Sequence, residues 1–282
     1  MEQKKNRWLG PLALLSWFCL LLWGERRRRL RRPVEDKLTR DARNLAVAGA
    51  SAAVIQSLEM PVIRPLAKLV ERRRWGLTQR LPLPEPARDV LAVVLMDYTL
   101  YLWHVLTHRV PFLWRFHQVH HIDRDLDAST AIRFHFGEMA MSVPFRATQI
   151  LVIGTSPRAL EAWQTLLFAS ILFHHSNVRL PLRFERWIAH LVVTPRLHGI
   201  HHSARDEETN SNWSSGLTVW DWLHGTLRTD VPQEVITIGV PGFDQPEQVT
   251  LPKMLTLPFR EEGETPEGSS FRVRQPLTEL QP

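Results

Sequence analysis

The histidines of this chain are grouped at helical spacing. Of 13 histidines in 282 residues, most fall in a few short clusters. Two clusters have the pattern H-x-x-H-H and one has the pattern H-x-x-x-H. Residues three and four apart share one face of a helix, so each cluster would direct two or three imidazoles to one point. The clustered residues are His104, His108, His117, His120, His121, His198, His201 and His202.

Imidazoles at this spacing indicate a metal site. At this histidine frequency one H-x-x-H-H pattern is expected by chance roughly 0.03 times in such a chain, yet the sequence contains two. Neutral imidazole suits zinc, copper, iron or nickel. A zinc site takes four ligands, so this set of histidines predicts two metals sharing a cavity. The single cysteine, Cys19, excludes an internal disulfide and a thiolate cluster.

Apolar segments that alternate with arginine-rich stretches must position these clusters. Residues 8–24 carry no charge, and an arginine block over residues 26–32 follows them. The segment lacks the small residues of a signal-peptide cleavage site. It therefore predicts a membrane helix whose arginine end faces the cytoplasm. A spanning helix takes about 20 apolar residues, and four further segments are too short or too polar to be assigned alone: residues 44–58, 90–107, 139–153 and 162–178.

Two shorter stretches have an apolar stripe at helical spacing. Residues 61–75 place Ile63 and Val70 on one helical face that arginines flank, and residues 184–192 form a second stripe. Each predicts either a helix on a membrane surface or a surface helix packed on the protein's own core. If both preceding helices crossed the membrane, Arg72–Arg74 would lie outside, against the positive-inside rule. We therefore expect a re-entrant second segment or an arginine cluster along the interface.

The histidine clusters and their surroundings resemble the fatty acid hydroxylase superfamily, which includes sterol desaturases and sterol methyl oxidases. Residues 97–123 resemble its first two histidine boxes with their connector, and residues 194–203 resemble a later box. The stretch TAIRFHFGE is similar to its R-F-H-x-x-E segment, and NWSSGLTVWDWLHGT to its closing segment. Ser214 and His224 replace a usual Gly and Phe outside the boxes, so we expect changed substrate shape or local packing there.

This resemblance implies an all-α fold, namely an integral membrane bundle of about four to five membrane helices with a cytosolic histidine-rich cap. It also implies that the metals are two iron ions in a non-haem di-iron centre, with O₂ as co-substrate. The predicted organisation is a membrane anchor with a basic block (1–32), membrane and interfacial helices (33–87), the di-iron domain (88–260) and a disordered tail (261–282).

The function implied is hydroxylation or desaturation of a lipid C–H bond, with a lipid that enters from the bilayer. Electrons must come from an external donor and reductase, because the sequence has no nicotinamide, flavin, haem or iron–sulphur motif. The histidine boxes are expected to face the cytoplasm, at a bacterial inner membrane or the endoplasmic reticulum. Sterol, fatty acyl chain, carotenoid, alkylglycerol and sphingoid base stay open as substrates.

Two other functions compete with oxygen activation. The histidines could hold structural zinc, or they could serve zinc-dependent hydrolysis, although no H-E-x-x-H helix is present. Nucleic-acid binding is not expected, because the arginines flank apolar runs and lack the stacking aromatics of a known module.

The resemblance also points to residues outside the three boxes. His175 matches a family position near the metals and is a candidate ninth ligand, whereas His174 matches a variable position. Asp97 lies two helical turns before His104, where its carboxylate would either accept the outer N–H of a ligand histidine or serve helix packing. Asn212 would either bind a metal-bound water or form a turn.

Four more residues are assigned to support of the site. His135 is expected to be an outer partner of a ligand histidine, and Arg133 is expected to form an ion pair with Glu138. Asp221 is expected to tie down the closing segment. The remaining histidines, His190 and His224, are interpreted as structural.

Overall fold

The computed structural model of the protein describes residues 9–260. The predicted disordered tail at 261–282 therefore lies outside the described residues. Within 9–260 the chain is helical, and pairing of extended backbone is limited to three isolated bridges, Arg29–Val178, Val192–Leu217 and Ser203–Ile238. The prediction of an all-α fold is thus confirmed for this part of the chain.

Long helices alternate with short ones along the chain. A π-helical turn at Ile55–Glu59 joins the second and third helices without a break. Short 3₁₀ turns occupy Thr130–Ile132, Pro246–Gln248 and Leu257–Phe259. The α-helices are α1 (Leu9–Arg27), α2 (Lys37–Val54), α3 (Met60–Arg73), α4 (Leu77–Arg80), α5 (Glu85–Arg109), α6 (Pro111–His121), α7 (Phe136–Ile153), α8 (Pro157–His175), α9 (Leu182–Ile188), α10 (Pro195–His201), α11 (Asp206–Thr209), α12 (Val219–Leu223) and α13 (Leu251–Thr256).

Two helical segments of residues 9–260 are long and apolar enough to cross a membrane, Lys37–Arg80 and Glu85–Arg109. At 1.5 Å per residue, the 25 residues of α5 extend about 37 Å, which exceeds the ~30 Å thickness of a hydrocarbon core. The predicted anchor is helical as α1 but is not one of these two segments. A bundle of four to five membrane helices therefore stays a prediction.

Helices α3, α5, α7 and α8 share an apolar core. Ile63 and Val70 of α3 are buried against Met96 of α5, Ile150 of α7 and Trp163 of α8. The apolar stripe at 61–75 thus faces other helices of the bundle, and the basic side chains of α3 point to its exposed side.

The second apolar stripe is exposed instead. Phe184, Trp187 and Leu191 are 50%, 62% and 56% exposed. These three side chains therefore do not pack on the protein's own core, which is one of the two alternatives for this stripe.

Candidate metal centre

Four helices bring the histidine clusters to one place. The last two turns of α5 supply the first cluster, the C-terminal half of α6 supplies the second, and α10 with its C-cap supplies the third. The last residue of α8 is His175. All nine side chains are buried: His104, His108, His117, His120, His121, His175, His198, His201 and His202.

The nine imidazoles form two groups, in each of which the candidate ligand atoms lie within 4.8 Å of one another. The five-histidine group consists of His104, His108, His117, His121 and His201. The four-histidine group consists of His120, His175, His198 and His202. Two groups with separate ligands agree in number with the two metals that the sequence predicts, and the resemblance-based candidate His175 lies in the second.

The four-histidine group is closed by contacts between ring nitrogens. The Nε2 atom of His175 lies 3.0 Å from that of His120 and 3.0 Å from that of His198, and His202 Nε2 lies 3.1 Å from His198 Nε2. Four nitrogens that face one another can share few protons between them. A cation at their centre would satisfy all four lone pairs, so the donor set fits a metal.

Hydrogen bonds at the outer ring nitrogens orient several of these imidazoles. His104 Nδ1 lies 2.6 Å from Trp213 O, His201 Nδ1 lies 2.9 Å from Ser211 O, and His175 Nδ1 lies 2.7 Å from Ile171 O. Because a carbonyl only accepts, each Nδ1 donates and each Nε2 keeps its lone pair. This arrangement aims the Nε2 atom of each ring into its group, as in metal sites of proteins.

The five-histidine group holds buried ring nitrogens without a hydrogen-bond partner among the described residues. They are the Nε2 atoms of His117 and His201 and both ring nitrogens of His108 and His121. Buried polar atoms are nearly always paired, so orphaned ones require an explanation. A metal ion at this point would supply the missing partner, and the residues therefore fit the cofactor that the sequence predicts.

Burial also sets the protonation state of these imidazoles. It lowers the pKa of His201 to about 3. Burial, and then the neighbouring histidines, lower the pKa values of His120, His121, His198 and His202 well below the usual range. These imidazoles are neutral near pH 7, which is the form that binds a metal.

The predicted ion pair between Arg133 and Glu138 is wrong. Glu138 Oε1 instead accepts from His117 Nδ1 at 2.9 Å, and Arg133 Nη1 lies 3.0 Å from Asp123 Oδ1. The side chains diverge because a new helix starts between them, with His135 as the N-cap of α7. The sequence gives no local signal for the His117–Glu138 pair, since the two residues are 21 positions apart.

A buried polar network connects α2 to the four-histidine group. Arg40 donates to both carboxylate oxygens of Asp123, at 2.8 and 2.9 Å, and to Asp127 at 2.6 Å. Burial alone would raise the pKa of Asp123, but Arg40 and Arg133 outweigh it and lower that pKa to about 2. The carbonyl oxygen of Arg133 in turn accepts from His120 Nδ1 at 3.3 Å. Residues of α2 thereby help to position His120.

Asp97 does not contact a ligand histidine. Its Oδ2 accepts from the backbone N–H of Leu217 at 3.0 Å and from Trp220 Nε1 at 2.8 Å. The carboxylate lies so close to Gly216 that any side chain there would collide with it. Of the two expectations for Asp97, the structure therefore shows the packing role, in which α5 holds the segment before α12.

Asn212 and His135 also serve the backbone rather than the imidazole groups. The amide of Asn212 donates to Leu197 O and Arg228 O and accepts from Arg228 N, with φ at +52°. This is the turn role. His135 accepts from Gly137 N and contacts Leu255 O, so the expected contact with a ligand histidine is absent among its hydrogen bonds in residues 9–260.

The closing segment is tied down as predicted. Asp221 accepts from the backbone N–H groups of Trp213 and Ser214, both at 2.9 Å. His224 lies 3.2 Å from the hydroxyl of Tyr98 and stacks on Tyr101, which is the structural role expected for it. Ser214, the other departure from the family pattern, is buried in this same turn.

His174 is buried beside the four-histidine group without belonging to it. Its ring centre lies 4.1 Å from that of His198, yet the ligand atoms of that group come from the other four residues. The sequence-based preference for His175 over His174 agrees with this placement. The role of all nine histidines as metal ligands stays a prediction.

Comparison with known proteins finds a family match over part of the chain. Residues 90–226 match the family described as fatty acid hydroxylase. The chain is 32% identical over 163 residues to the ornithine lipid hydroxylase OlsE of Rhizobium tropici, covering 56% of this chain and 47% of the relative. No solved structure matches the chain significantly.

Two further relatives act on other lipids, as their names state. The chain is 27% identical over 154 residues to cholesterol 25-hydroxylase of Mus musculus, covering 53% of this chain and 50% of that protein. It is 29% identical over 147 residues to alkylglycerol monooxygenase of Xenopus tropicalis, covering 52% of this chain and 32% of that protein. The chain thus spans half or less of the length of these three relatives.

Proposed function

This chain belongs to the fatty acid hydroxylase superfamily through residues 90–226, and on that premise we propose that it is a membrane-bound non-haem di-iron oxidoreductase. It hydroxylates or desaturates a C–H bond of a lipid with O₂ and electrons from an external donor and reductase. Hydroxylation is the favoured outcome, because the relatives named above are hydroxylases or monooxygenases.

One observation carries the proposal, namely the convergence of nine buried imidazoles in two groups. The two groups offer imidazole and are poor in anionic ligands, which suits a metal that binds imidazole. The groups consist of histidines alone, and the carboxylate of Glu138 contacts the outer nitrogen of His117. Two iron ions, when bound there, would supply the activation of O₂.

The residues of this chain would bind the metal ions, orient the imidazoles and exclude water. The five-histidine and four-histidine groups would each hold one ion. The carbonyls of Trp213, Ser211 and Ile171 keep the Nε2 atoms of three ligands free of protons. Trp114 and Trp213 pack near His108, with ring centres 5.0 and 6.2 Å from it, and help to keep water from the five-histidine group.

The position of the groups supports a lipid substrate. His104 and His108 lie in the last turns of α5, a helix long enough to cross a membrane. A lipid that lies beside this helix would reach the imidazoles at the helix end. Large apolar side chains of α1, such as Leu12, Leu15 and Trp23, are more than half exposed, which suits a membrane environment for the predicted anchor.

The orientation follows from charge. The arginine block follows α1, and the positive-inside rule places such a block in the cytoplasm. Backbone hydrogen bonds join this block to the residues after α8, including Leu30 N to Asn177 O at 2.9 Å. The imidazole groups would therefore face the cytoplasm, at a bacterial inner membrane or the endoplasmic reticulum.

Metal analysis of the full chain tests this function. The protein is purified in detergent from iron-replete medium, its metals are quantified, and the iron-57 form is studied by Mössbauer spectroscopy. We expect about two irons per chain. His120→Ala and His201→Ala should each reduce iron by about one equivalent, because they belong to different groups, and His190→Ala is the matched control on an exposed histidine.

Turnover of lipids completes the test. Iron-loaded protein with O₂ and a reductant is expected to convert a lipid to a product that is 16 mass units heavier for hydroxylation or 2 units lighter for desaturation. Stoichiometric zinc that survives iron-replete growth would contradict the proposal and favour a structural or hydrolytic zinc site. Protein without metal would contradict both.

A further inference from the structure

A cavity lies near the C-terminal end of α1 and contains none of the nine histidines. This cavity of about 620 Å³ opens between the arginine block, the loop after α6 and residues 233–244. Asn177 and Ala204, each two residues beyond a histidine of the four-histidine group, line its wall. Its basic lining residues are Arg31, Arg32, Arg124 and Arg179.

Arg31 is the unusual member of this lining. Its Nη1 donates to Gln233 Oε1 at 2.5 Å and to Pro195 O at 3.2 Å. Its Nε and Nη2 atoms are buried and have no hydrogen-bond partner in the described part of the chain. Burial lowers its pKa to about 10, so the guanidinium stays charged at neutral pH. Three buried N–H bonds of a charged group that have no acceptor are costly unless a ligand pairs them.

The unpaired atoms form one edge of the guanidinium. Nε–H and one Nη2–H point in parallel, at a spacing that matches two oxygens of a carboxylate or a phosphate. Glu234 and Asp244 also line the cavity, but neither pairs with Arg31, whose Nε and Nη2 atoms have no partner in residues 9–260. Two other acidic groups near Arg31 already have partners of their own. Asp125 accepts from the backbone N–H groups of Val34 and Glu35, and Glu185 pairs with Arg196 at 2.7 Å. None of these acidic groups occupies the Nε–Nη2 edge of Arg31, so this edge is free to pair with an anion from outside the protein.

We propose that this cavity is a binding site for an oxyanion, a carboxylate or a phosphate, held on the Nε–Nη2 edge of Arg31. The anion has two sources of the same chemistry, a lipid headgroup or a small soluble anion. Both can reach a cavity at the end of a helix that is predicted to leave the membrane there. The site goes beyond the proposed function, because it contains none of the nine histidines.

The cavity lies close to the candidate metal centre. The guanidinium of Arg31 lies against Gly199, so a side chain at that position would collide with Nη1. Gly199 stands between His198 and His201 on α10. Only the Arg31 side chain and one turn of α10 would thus separate an anion on the Nε–Nη2 edge from His198 and His201, which belong to different groups.

Anion binding to the full detergent-purified chain tests the proposal. Inorganic phosphate and dihexanoyl phosphatidic acid, which is a soluble short-chain lipid, are titrated separately by calorimetry. Arg31→Lys keeps the charge but lacks the two-donor edge, and we expect it to weaken binding roughly tenfold. Thr237→Glu adds a carboxylate at an exposed lining position and leaves Arg31 unchanged, so it should weaken binding as well.

Arg32→Gln is the matched control. It removes one positive charge from the exposed part of the same lining, and affinity should change by less than about threefold. Saturable phosphate binding that Arg31→Lys and Thr237→Glu weaken identifies a soluble anion as ligand. If only phosphatidic acid saturates, with the same response to the variants, a lipid headgroup is the ligand.

Two results would overturn the proposal. One is that neither anion binds the wild-type chain saturably. The other is that binding persists unchanged in Thr237→Glu and in folded Arg31→Lys, which would place the anion elsewhere, for example on a metal. If Arg31→Lys does not fold, Thr237→Glu decides alone. The titration uses no reductant and no turnover, so failure of the proposed lipid oxidation would not be confused with failure of this site.

Discussion

His117 Nδ1 and Glu138 Oε1 lie 2.9 Å apart, both buried, and this pair joins the five-histidine group to the first turn of α7. The opposite nitrogen of the ring, Nε2, points into the group and has no partner among the described residues. A carboxylate on the outer nitrogen of a ligand histidine fixes the orientation of the ring and raises its basicity. Glu138 is thus a positioning residue for the candidate metal ligand His117.

Glu138→Gln should weaken metal binding by about 10–100-fold, because the amide can still accept from Nδ1 but carries no charge. Metal retained after dialysis against graded chelator measures this effect. Glu161→Gln, on the exposed side of α8, is the control and should retain metal as the wild type does. Equal retention in both variants would show that Glu138 does not act on the ligand.

Asp97→Ala should lower the free energy of unfolding by about 2–4 kcal/mol, since it leaves two donors, Leu217 N and Trp220 Nε1, without their charged acceptor. Metal stoichiometry should not change, because Asp97 contacts no imidazole of either group. Thermal unfolding in detergent and metal analysis of the same preparation test both parts. Loss of metal from folded Asp97→Ala would show that this carboxylate supports a ligand histidine after all.

Two glycine substitutions should have opposite effects. Gly216→Ala adds a methyl group where the Asp97 carboxylate lies, so the segment before α12 must shift and stability should fall. Gly49→Ala adds one where no atom lies within 4 Å, inside helix α2, and should raise stability by up to about 1 kcal/mol. The midpoints of thermal unfolding of the two variants compare them directly, and equal shifts would argue against the close approach at Gly216.

Arg40→Met should destabilise the fold by about 3–5 kcal/mol, because it leaves Asp123 and Asp127 buried without their main cation. Arg64→Met removes an exposed arginine from the adjacent helix α3 and should change stability by less than about 0.5 kcal/mol. Unfolding in denaturant measures both. A mild effect of Arg40→Met would mean that Lys37 and Arg133 suffice to balance the two carboxylates.

Sequence periodicity was sufficient to predict that histidines four positions apart share a group. The i, i+4 spacing puts His104 with His108, His117 with His121 and His198 with His202, and each pair lies in one group. The i, i+3 pairs, His117 with His120 and His198 with His201, are divided between the groups. Spacing could not divide the histidines between groups, since adjacent residues such as His120 and His121 point to different ones. Only the resemblance to a family, and no periodicity, pointed to His175.

The hydrogen-bond partners of buried side chains near the site could not be inferred from their neighbours in the sequence. The sequence predicts Arg133, five positions away, as the partner of Glu138, but the start of α7 between them turns one side chain to His117 and the other to Asp123. The partners of Asp97 lie 120 or more positions along the chain. Such contacts depend on how helices pack, and a single sequence does not contain that information.

The division of the ligands along the chain also constrains the order of biosynthesis. Each group includes at least one histidine from α10 or its C-cap, whereas the first ligand, His104, lies about one hundred residues earlier. The ribosome must therefore release α5, α6 and α8 before either group is complete. Binding of the proposed metals is accordingly expected late in maturation, and a chain stalled or truncated before residue 198 would carry clustered imidazoles without a finished centre.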